Sequence, residues 1–166
     1  FQTGDGEYAM ERTQERYNAM VMDSVNTTLY EGWLQGANGF GGGTTNHAWS
    51  GGPLTVIAQY LMGVSVTEPG WRKFSVCPMP VRFKQADISI PTLRGVVKSA
   101  FKLGEKADVY TLTVPSGTEA YMYLPCEDAT KVDGAARYLC RDSEVQKAGR
   151  LCLLLPAGNY KFKVRK

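Results

Sequence analysis

Residues 95–114 read GVVKSAFKLGEKADVYTLTV, two runs of alternating apolar and polar side chains separated by Leu103-Gly104-Glu105-Lys106. Alternation with a period of two is typical of strands that bury one face, and a short glycine-containing stretch between two such runs is a turn signal. The same period holds from Arg72 to the end of the chain. We therefore expect a sheet of short antiparallel strands in this part of the molecule.

Turn signals such as Pro115-Ser116-Gly117 and Pro156-Ala157-Gly158-Asn159 divide the region into about eight candidate strands. They are Lys73–Cys77, Arg82–Ile90, Gly95–Leu103, Ala107–Val114, Glu119–Leu124, Ala136–Cys140, Gly149–Leu155 and Tyr160–Val164. Short strands at a spacing of about eight to twelve residues are typical of an antiparallel β-sandwich. Pro91 and Pro115 fit the ends of strands, because a missing backbone N–H does no harm there.

The N-terminal part has a helical period instead. Residues 8–29 carry apolar side chains three and four positions apart, which predicts an amphipathic helix. A second apolar stripe follows Pro53 and ends at Gly63. Two such helices cannot close a bundle, so their stripes need partners that this chain does not supply. The fold class we expect is α+β by segments, with a short N-terminal helical part followed by the β-sandwich.

The charge also divides the chain into two parts. Residues 1–71 hold two basic and seven acidic side chains, whereas residues 72–166 hold seventeen basic and nine acidic ones. The basic residues of the second part recur singly between apolar ones, as on the solvent face of a strand, so we expect no nucleic-acid partner. The apolar runs are far too short for a membrane span. Four cysteines without a Cys-x-x-Cys pair and a single histidine argue against a metal site, and they leave one or two disulfides open.

Residues able to carry chemistry lie before and within a glycine-rich stretch between Gly36 and Gly52. Before it comes Glu31 with Trp33 close behind, and within it come Asn46 and His47. Aromatic faces stack on sugar C–H surfaces and a carboxylate can take a proton from water, so this group of residues suits a sugar site. Each residue also has a purely structural interpretation: Glu31 as a solvated acid, Asn46 as a helix cap, His47 and Trp33 as packing residues. The glycines lack the Lys-Ser/Thr of a phosphate-binding loop.

Several motifs in a fixed order decide between these interpretations. They are Thr28-Leu-Tyr-Glu-Gly-Trp33, Asn46-His-Ala-Trp-Ser-Gly-Gly52, Tyr60-Leu-Met-Gly-Val64, Glu68-Pro-Gly-Trp-Arg72, Pro91-Thr-Leu-Arg-Gly-Val-Val97 and Leu155-Pro-Ala-Gly-Asn-Tyr160. Together they resemble the C-terminal part of bacterial α-L-rhamnosidases of glycoside hydrolase family 78. The resemblance covers nearly the whole chain.

That resemblance implies an (α/α)6 barrel with the active site in its mouth, followed by a C-terminal β-sandwich. Residues 1–70 would be the last helices of the barrel and its active-site loop, and residues 71–166 the sandwich. The family hydrolyses terminal α-L-rhamnosides with inversion of configuration, so the expected partner is a carbohydrate substrate and no cofactor is expected. We also expect a periplasmic or extracellular location rather than a cytoplasmic one. The oligomeric state stays open.

The resemblance assigns roles to single residues. Glu31, in a Thr-x-aromatic-Glu-x-Trp motif, matches the general base, and His47 matches a residue that contacts the sugar; Trp33 and Asn46 are expected beside them. Tyr30 stands where the family usually has Trp. Nothing here matches the general acid, so we expect the missing N-terminal part of the same polypeptide to supply it and this chain alone to be inactive. The alternatives are a non-catalytic carbohydrate-binding or scaffolding module, and an (α/α)6 glycosidase acting on another sugar.

Overall fold

The computed structural model describes residues 1–32 and 44–166 of the chain. The chain divides into two compact units, Phe1–Ile57 and Ala58–Lys166. Within the described residues, none of the helices combines the length and the apolar character that a membrane crossing requires. The boundary between residues 70 and 71 that the resemblance implies stays a prediction.

Helix α1 spans Gly6–Val21 and begins at an acidic cap. The side chain of Asp5 accepts a hydrogen bond from the Tyr8 N–H at 3.0 Å, which satisfies one of the free donors at a helix N-terminus. The helix buries Met10 and Met20, two members of the predicted apolar stripe.

The predicted helix over residues 8–29 is wrong beyond Val21. The Asp23 carboxylate accepts the N–H groups of Val25 and Asn26 at 2.8 and 3.0 Å. Because an aspartate that bonds to the backbone just ahead of it offers the chain an alternative to the helix, α1 ends before this turn. Val25, which continued the apolar period in the sequence, is 84% exposed.

The predicted second helix is divided into short pieces. A 3₁₀ turn at Ala48–Gly51 leads into helix α2, Gly52–Val56, and a π-helical turn follows at Ile57–Leu61. Pro53 lies in the first turn of α2, where its missing N–H has no intrahelical partner to lose.

The second unit is a curled sheet of six strands. Their order is β1-β2-β5-β4-β3, and β6 pairs along β5; β2 and β5 run parallel, and all other pairs are antiparallel. The strands are β1 Val64–Val66, β2 Lys73–Val76, β3 Gln85–Thr92, β4 Gly95–Lys102, β5 Ala107–Leu124 and β6 Leu151–Arg165.

Two pairs of predicted strands are each a single long strand. Strand β5 contains both Ala107–Val114 and Glu119–Leu124, and β6 contains Tyr160–Val164 and the predicted strand Gly149–Leu155 from Leu151 onward. They pair from one end to the other, with one register shift between Val114 and Glu119. The turn signals at Pro115 and Pro156 therefore mark an irregularity inside a ladder rather than a reversal of the chain.

The strand predicted at Ala136–Cys140 is wrong. A 3₁₀ helix occupies Ala135–Tyr138 after Gly134, whose φ is 75°. The backbone of this segment pairs with β6 through an isolated bridge between Leu139 and Leu153 rather than through a strand ladder. With six strands in one curled sheet, the sandwich of about eight strands is not confirmed. The alternating pattern that predicted it is nevertheless visible in the core, where Phe101, Tyr110 and Phe162 lie opposite one another on β4, β5 and β6 and are at most 3% exposed.

Candidate functional site

Two segments of the first unit run side by side and bring the predicted site residues together. The N–H of Glu31 donates to the Thr44 carbonyl, and the N–H of His47 donates to the Leu29 carbonyl, both at 2.9 Å. The Ser50 hydroxyl donates to the Tyr30 carbonyl. Residues that are 13 to 20 positions apart in sequence are thus held together by hydrogen bonds to backbone carbonyls.

Thr44 holds the carboxylate of Glu31 with two donors. Oε2 of Glu31 accepts the Thr44 N–H at 2.9 Å and the Thr44 hydroxyl at 3.3 Å. The same oxygen lies 3.6 Å from Nδ1 of His47, and the Glu31 side chain is 31% exposed. The carboxylate is therefore oriented on one side and open to solvent on the other.

These contacts lower the pKa of Glu31 below the ordinary value of a glutamate. The largest cause is the hydrogen bond from the Thr44 N–H; the charge of His47 and the Thr44 hydroxyl act in the same direction, and partial desolvation opposes them. A carboxyl whose charged form is hydrogen-bonded stays ionised at neutral pH. In this state Glu31 can accept a proton but has none to donate.

Aromatic surface lies next to the carboxylate. The rings of His47 and Trp49 have centroids 4.4 Å apart with an interplanar angle of 37°, and Nε1 of Trp49 donates to the Glu31 carbonyl at 3.2 Å. Trp49 is 69% exposed. Its indole is thus anchored at the nitrogen and leaves ring surface free for a ligand.

Glu31 and Trp49 also line one cavity of about 330 Å³, together with Tyr17 and Met20 of α1, Gly32 and Ser50. This volume is at the small end of the range for ligand pockets. A carboxylate, a hydroxyl and aromatic rings around such a space suit a small polyhydroxylated ligand.

The structure brings three of the four predicted site residues into one region. Glu31 and His47 are neighbours, while Asn46 contributes its carbonyl, which accepts from the Thr44 hydroxyl at 3.4 Å, and its side chain is exposed. Trp33 lies outside the described residues. No group of three or more His, Cys, Asp or Glu side chains in the described parts of the chain could hold a metal ion.

Sequence reasoning missed Thr44, although it makes the most contacts with Glu31. Its hydroxyl also lies 3.2 Å from Nδ1 of His47 and so connects the acid and the imidazole. The first of its two donors is a backbone N–H, which any residue other than proline provides, so no sequence signal could have identified it.

Comparison with known proteins relates part of this chain to one protein family. Residues 63–138 match the model of the bacterial alpha-L-rhamnosidase C-terminal domain. A comparison with curated proteins gave no match.

Several solved structures share the fold. An alpha-L-rhamnosidase from Dictyoglumus thermophilum is 23% identical, with 85% of this chain and 16% of that chain covered and a TM-score of 0.69. A Streptomyces avermitilis alpha-L-rhamnosidase complexed with L-rhamnose is 21% identical, with 84% of this chain and 14% of that chain covered and a TM-score of 0.70. Native alpha-L-rhamnosidase from Aspergillus terreus is 23% identical, with 84% of this chain and 15% of that chain covered and a TM-score of 0.64.

At these identities the likeness establishes the fold, and this chain spans only 14 to 16% of the three solved chains. The matched domain lies within the sheet-bearing unit and begins at Gly63, just before β1. The resemblance expected from the ordered motifs is thereby confirmed. Residues 63–138 are thus similar to the bacterial alpha-L-rhamnosidase C-terminal domain, and the chain shares its fold with part of the solved alpha-L-rhamnosidases.

Proposed function

We propose that this chain is the C-terminal part of a bacterial, inverting α-L-rhamnosidase that hydrolyses terminal α-L-rhamnosides, and that Glu31 is its general base. One observation carries the proposal: an ionised carboxylate held by Thr44 lines a cavity beside the exposed ring of Trp49. In this proposal residues 1–70 are the end of an (α/α)6 barrel and residues 71–166 form its C-terminal β-sandwich.

The chemistry needs the protonation state that Glu31 has. In an inverting hydrolysis the base takes a proton from water while the water oxygen attacks the anomeric carbon, and an acid on the opposite face protonates the leaving oxygen. Because its pKa is lowered, Glu31 is charged throughout the neutral range and fits the first role rather than the second.

The second carboxyl group must come from elsewhere in the parent enzyme. Inverting enzymes place their two carboxyl groups roughly 6.5–9.5 Å apart, and among the described residues that line the cavity Glu31 is the one carboxylate. We therefore propose that an N-terminal part of the same polypeptide supplies the acid, and that residues 1–166 alone do not turn over substrate.

The neighbouring side chains have supporting roles in this proposal. His47 fixes the Glu31 carboxylate from one side and contacts the sugar, and Trp49 offers an apolar ring on which a sugar face stacks. The exposed amide of Asn46 is available to sugar hydroxyls. Trp33, in the same motif as Glu31, remains a predicted part of the binding site.

The experiment uses an intact enzyme that contains this sequence and an aryl α-L-rhamnoside as substrate. Glu31→Gln should lower kcat by about 10²–10⁴-fold, since that is the usual contribution of a general base, and should leave the melting temperature nearly unchanged. The matched control is Glu11→Gln, the same substitution at an exposed position of α1, which should keep the wild-type rate.

Two results would contradict the proposal. A Glu31→Gln enzyme with near-normal kcat would remove this residue from the reaction. Proton NMR of the first-formed sugar tests the stereochemistry: inversion gives the β-anomer first, and initial formation of the α-anomer would rule out the inverting mechanism while leaving the substrate assignment intact.

A further inference from the structure

Three of the four cysteines lie in one row across the sheet of the second unit. The parallel register Val76↔Met122 places Cys77 beside Tyr123 of β5, and Tyr123 in turn lies opposite Cys152 of β6. On the far side of β6, the bridge between Leu139 and Leu153 places Cys140 opposite Cys152. All of these cysteines are free thiols.

Cys140 and Cys152 have the geometry of a disulfide pair. The N–H of Cys140 donates to the Cys152 carbonyl at 3.0 Å, and Cys140 packs against the cluster that contains Cys152. Directly opposite residues of an antiparallel pair have Cα atoms roughly 4.5–5.5 Å apart. This separation lies inside the range of roughly 4.4–6.8 Å that a disulfide bridges.

The other two cysteines are poorly placed to compete. Cys77 and Cys152 lie on opposite sides of β5, so two strand spacings, roughly 10 Å, separate their backbones. A disulfide does not span that distance without movement of the backbone. Cys126 follows the end of β5 and lines a different cavity, with Asp108 and Lys131.

The two thiols of the pair differ in access to solvent. Cys152 is 2% exposed and packs with Tyr121 and Tyr123, whereas Cys140 is half-buried at the edge of this cluster. Burial raises the pKa of Cys152 to about 12, and the neighbouring Cys140 acts in the same direction. The charge of Lys147 opposes these effects and favours the thiolate form of Cys152. The Nζ of Lys147 lies 4.5 Å from the centre of the Tyr123 ring. A disulfide in solution therefore reaches Cys140 first.

We propose that Cys140 and Cys152 form a reversible disulfide that fixes the segment around Cys140 to β6. In the first step the Cys140 thiolate attacks one sulfur of a small external disulfide, forms a mixed disulfide and releases one thiolate. In the second step Cys152 loses its proton to solvent and attacks the Cys140 sulfur, which expels the second thiolate. Overall the two cysteines lose two electrons and two protons, and the external disulfide is reduced to two thiols.

The bond would close a short loop that contains the 3₁₀ turn Ser143–Val145. A crosslink stabilises the fold mainly because it restricts the unfolded chain, and for a loop of this length we expect the melting temperature to rise by roughly 5–15 °C. The free thiols and the disulfide are thus two states of the same surface segment with different stability.

The test uses the full chain, equilibrated without oxygen at graded ratios of oxidised to reduced glutathione. After the remaining thiols are blocked, intact mass counts the free cysteines and tryptic digestion locates the bond. Cleavage after Arg137, Arg141, Arg150 and Lys161 should give a crosslink between residues 138–141 and residues 151–161. Dithiothreitol should reverse the crosslink and the gain in melting temperature together.

Single variants provide the controls. Cys140→Ser and Cys152→Ala should each abolish the increase in melting temperature on oxidation, and Cys126→Ser should keep it. Four free thiols at every ratio, a glutathione adduct on Cys140 without a second bond, or a crosslink through Cys77 or Cys126 would each overturn the proposal. Because the wild-type mass and digest already decide the question, a variant that fails to fold does not obscure the result.

Discussion

The contact between Gly63 and Cys77 gives a stability prediction whose size follows from the coordinates. Gly63 has a φ of 70°, and a Cβ built on it would lie 2.1 Å from both the carbonyl carbon and the oxygen of Cys77. The two backbones are this close because the N–H of Cys77 donates to the Gly63 carbonyl at 3.0 Å, directly beside the pair Val64↔Val76. Any side chain at Gly63 must therefore push β1 away from β2.

Gly63→Ala should lower the free energy of unfolding by about 3–5 kcal/mol. A left-handed conformation costs a non-glycine residue about 1–2 kcal/mol. The displaced backbone loses a hydrogen bond worth about 0.5–1.5 kcal/mol. It also loosens the packing of Val64 and Val76, which are 3% and 0% exposed and each contribute about 1.5–3 kcal/mol when fully buried.

Gly134→Ala is the matched control. Gly134 has a φ of 75°, and a Cβ there would have no heavy atom within 4 Å. Only the backbone strain applies, so the loss should be about 1–2 kcal/mol. Urea unfolding of the full chain, followed by circular dichroism, measures both variants. Equal losses in the two would refute the close approach of Gly63 to Cys77.

Two further predictions concern the carboxylate and the core. Thr44→Val removes a hydroxyl donor from Glu31 and should move the NMR titration of that carboxyl to higher pH, while Thr45→Val should leave it unchanged. The pKa of Glu31 is lower in the folded than in the unfolded chain. The stability that Glu31 contributes is therefore present above its unfolded pKa and is lost as the pH falls through the folded pKa. Leu153→Ala, at a fully buried position, should cost about 2–5 kcal/mol in urea unfolding, and Leu93→Ala, at a position 90% exposed, less than about 0.5 kcal/mol. An unmoved Glu31 titration, or equal losses for the two leucines, would contradict these assignments.

The alternation of apolar and polar residues predicted β4 closely because one face of that strand is buried and the other is solvated. Local turn chemistry was less reliable in β5 and β6. Pro156 pairs with Glu119 at the register shift between the two strands, a place where a residue without an N–H is tolerated. A proline at such an irregularity gives the same sequence signal as a proline at the end of a strand, and only the partner strand distinguishes the two.

The same limit applies to the site. The residue types around Glu31 suggested a sugar site, and the ordered motifs selected among the interpretations, but neither could give the 3.6 Å separation of Glu31 and His47. That distance depends on backbone hydrogen bonds between residues 29–31 and 44–47. Backbone groups are nearly the same in every residue, so contacts of this kind leave no trace in composition or spacing.

The groups that lower the pKa of Glu31 bear on which parts of the polypeptide would supply the proposed base and acid. Pairs of catalytic carboxyl groups work when their environments separate their pKa values. Every group that lowers the pKa of Glu31 belongs to Thr44 or His47, within the first unit of this chain. The ionised state of Glu31, the proposed base, therefore needs no contribution from outside this unit. A catalytic acid needs the opposite environment, one that disfavours the charged form. The proposed base and acid can therefore come from different segments of the chain. Their separation along the polypeptide is compatible with the proposed mechanism.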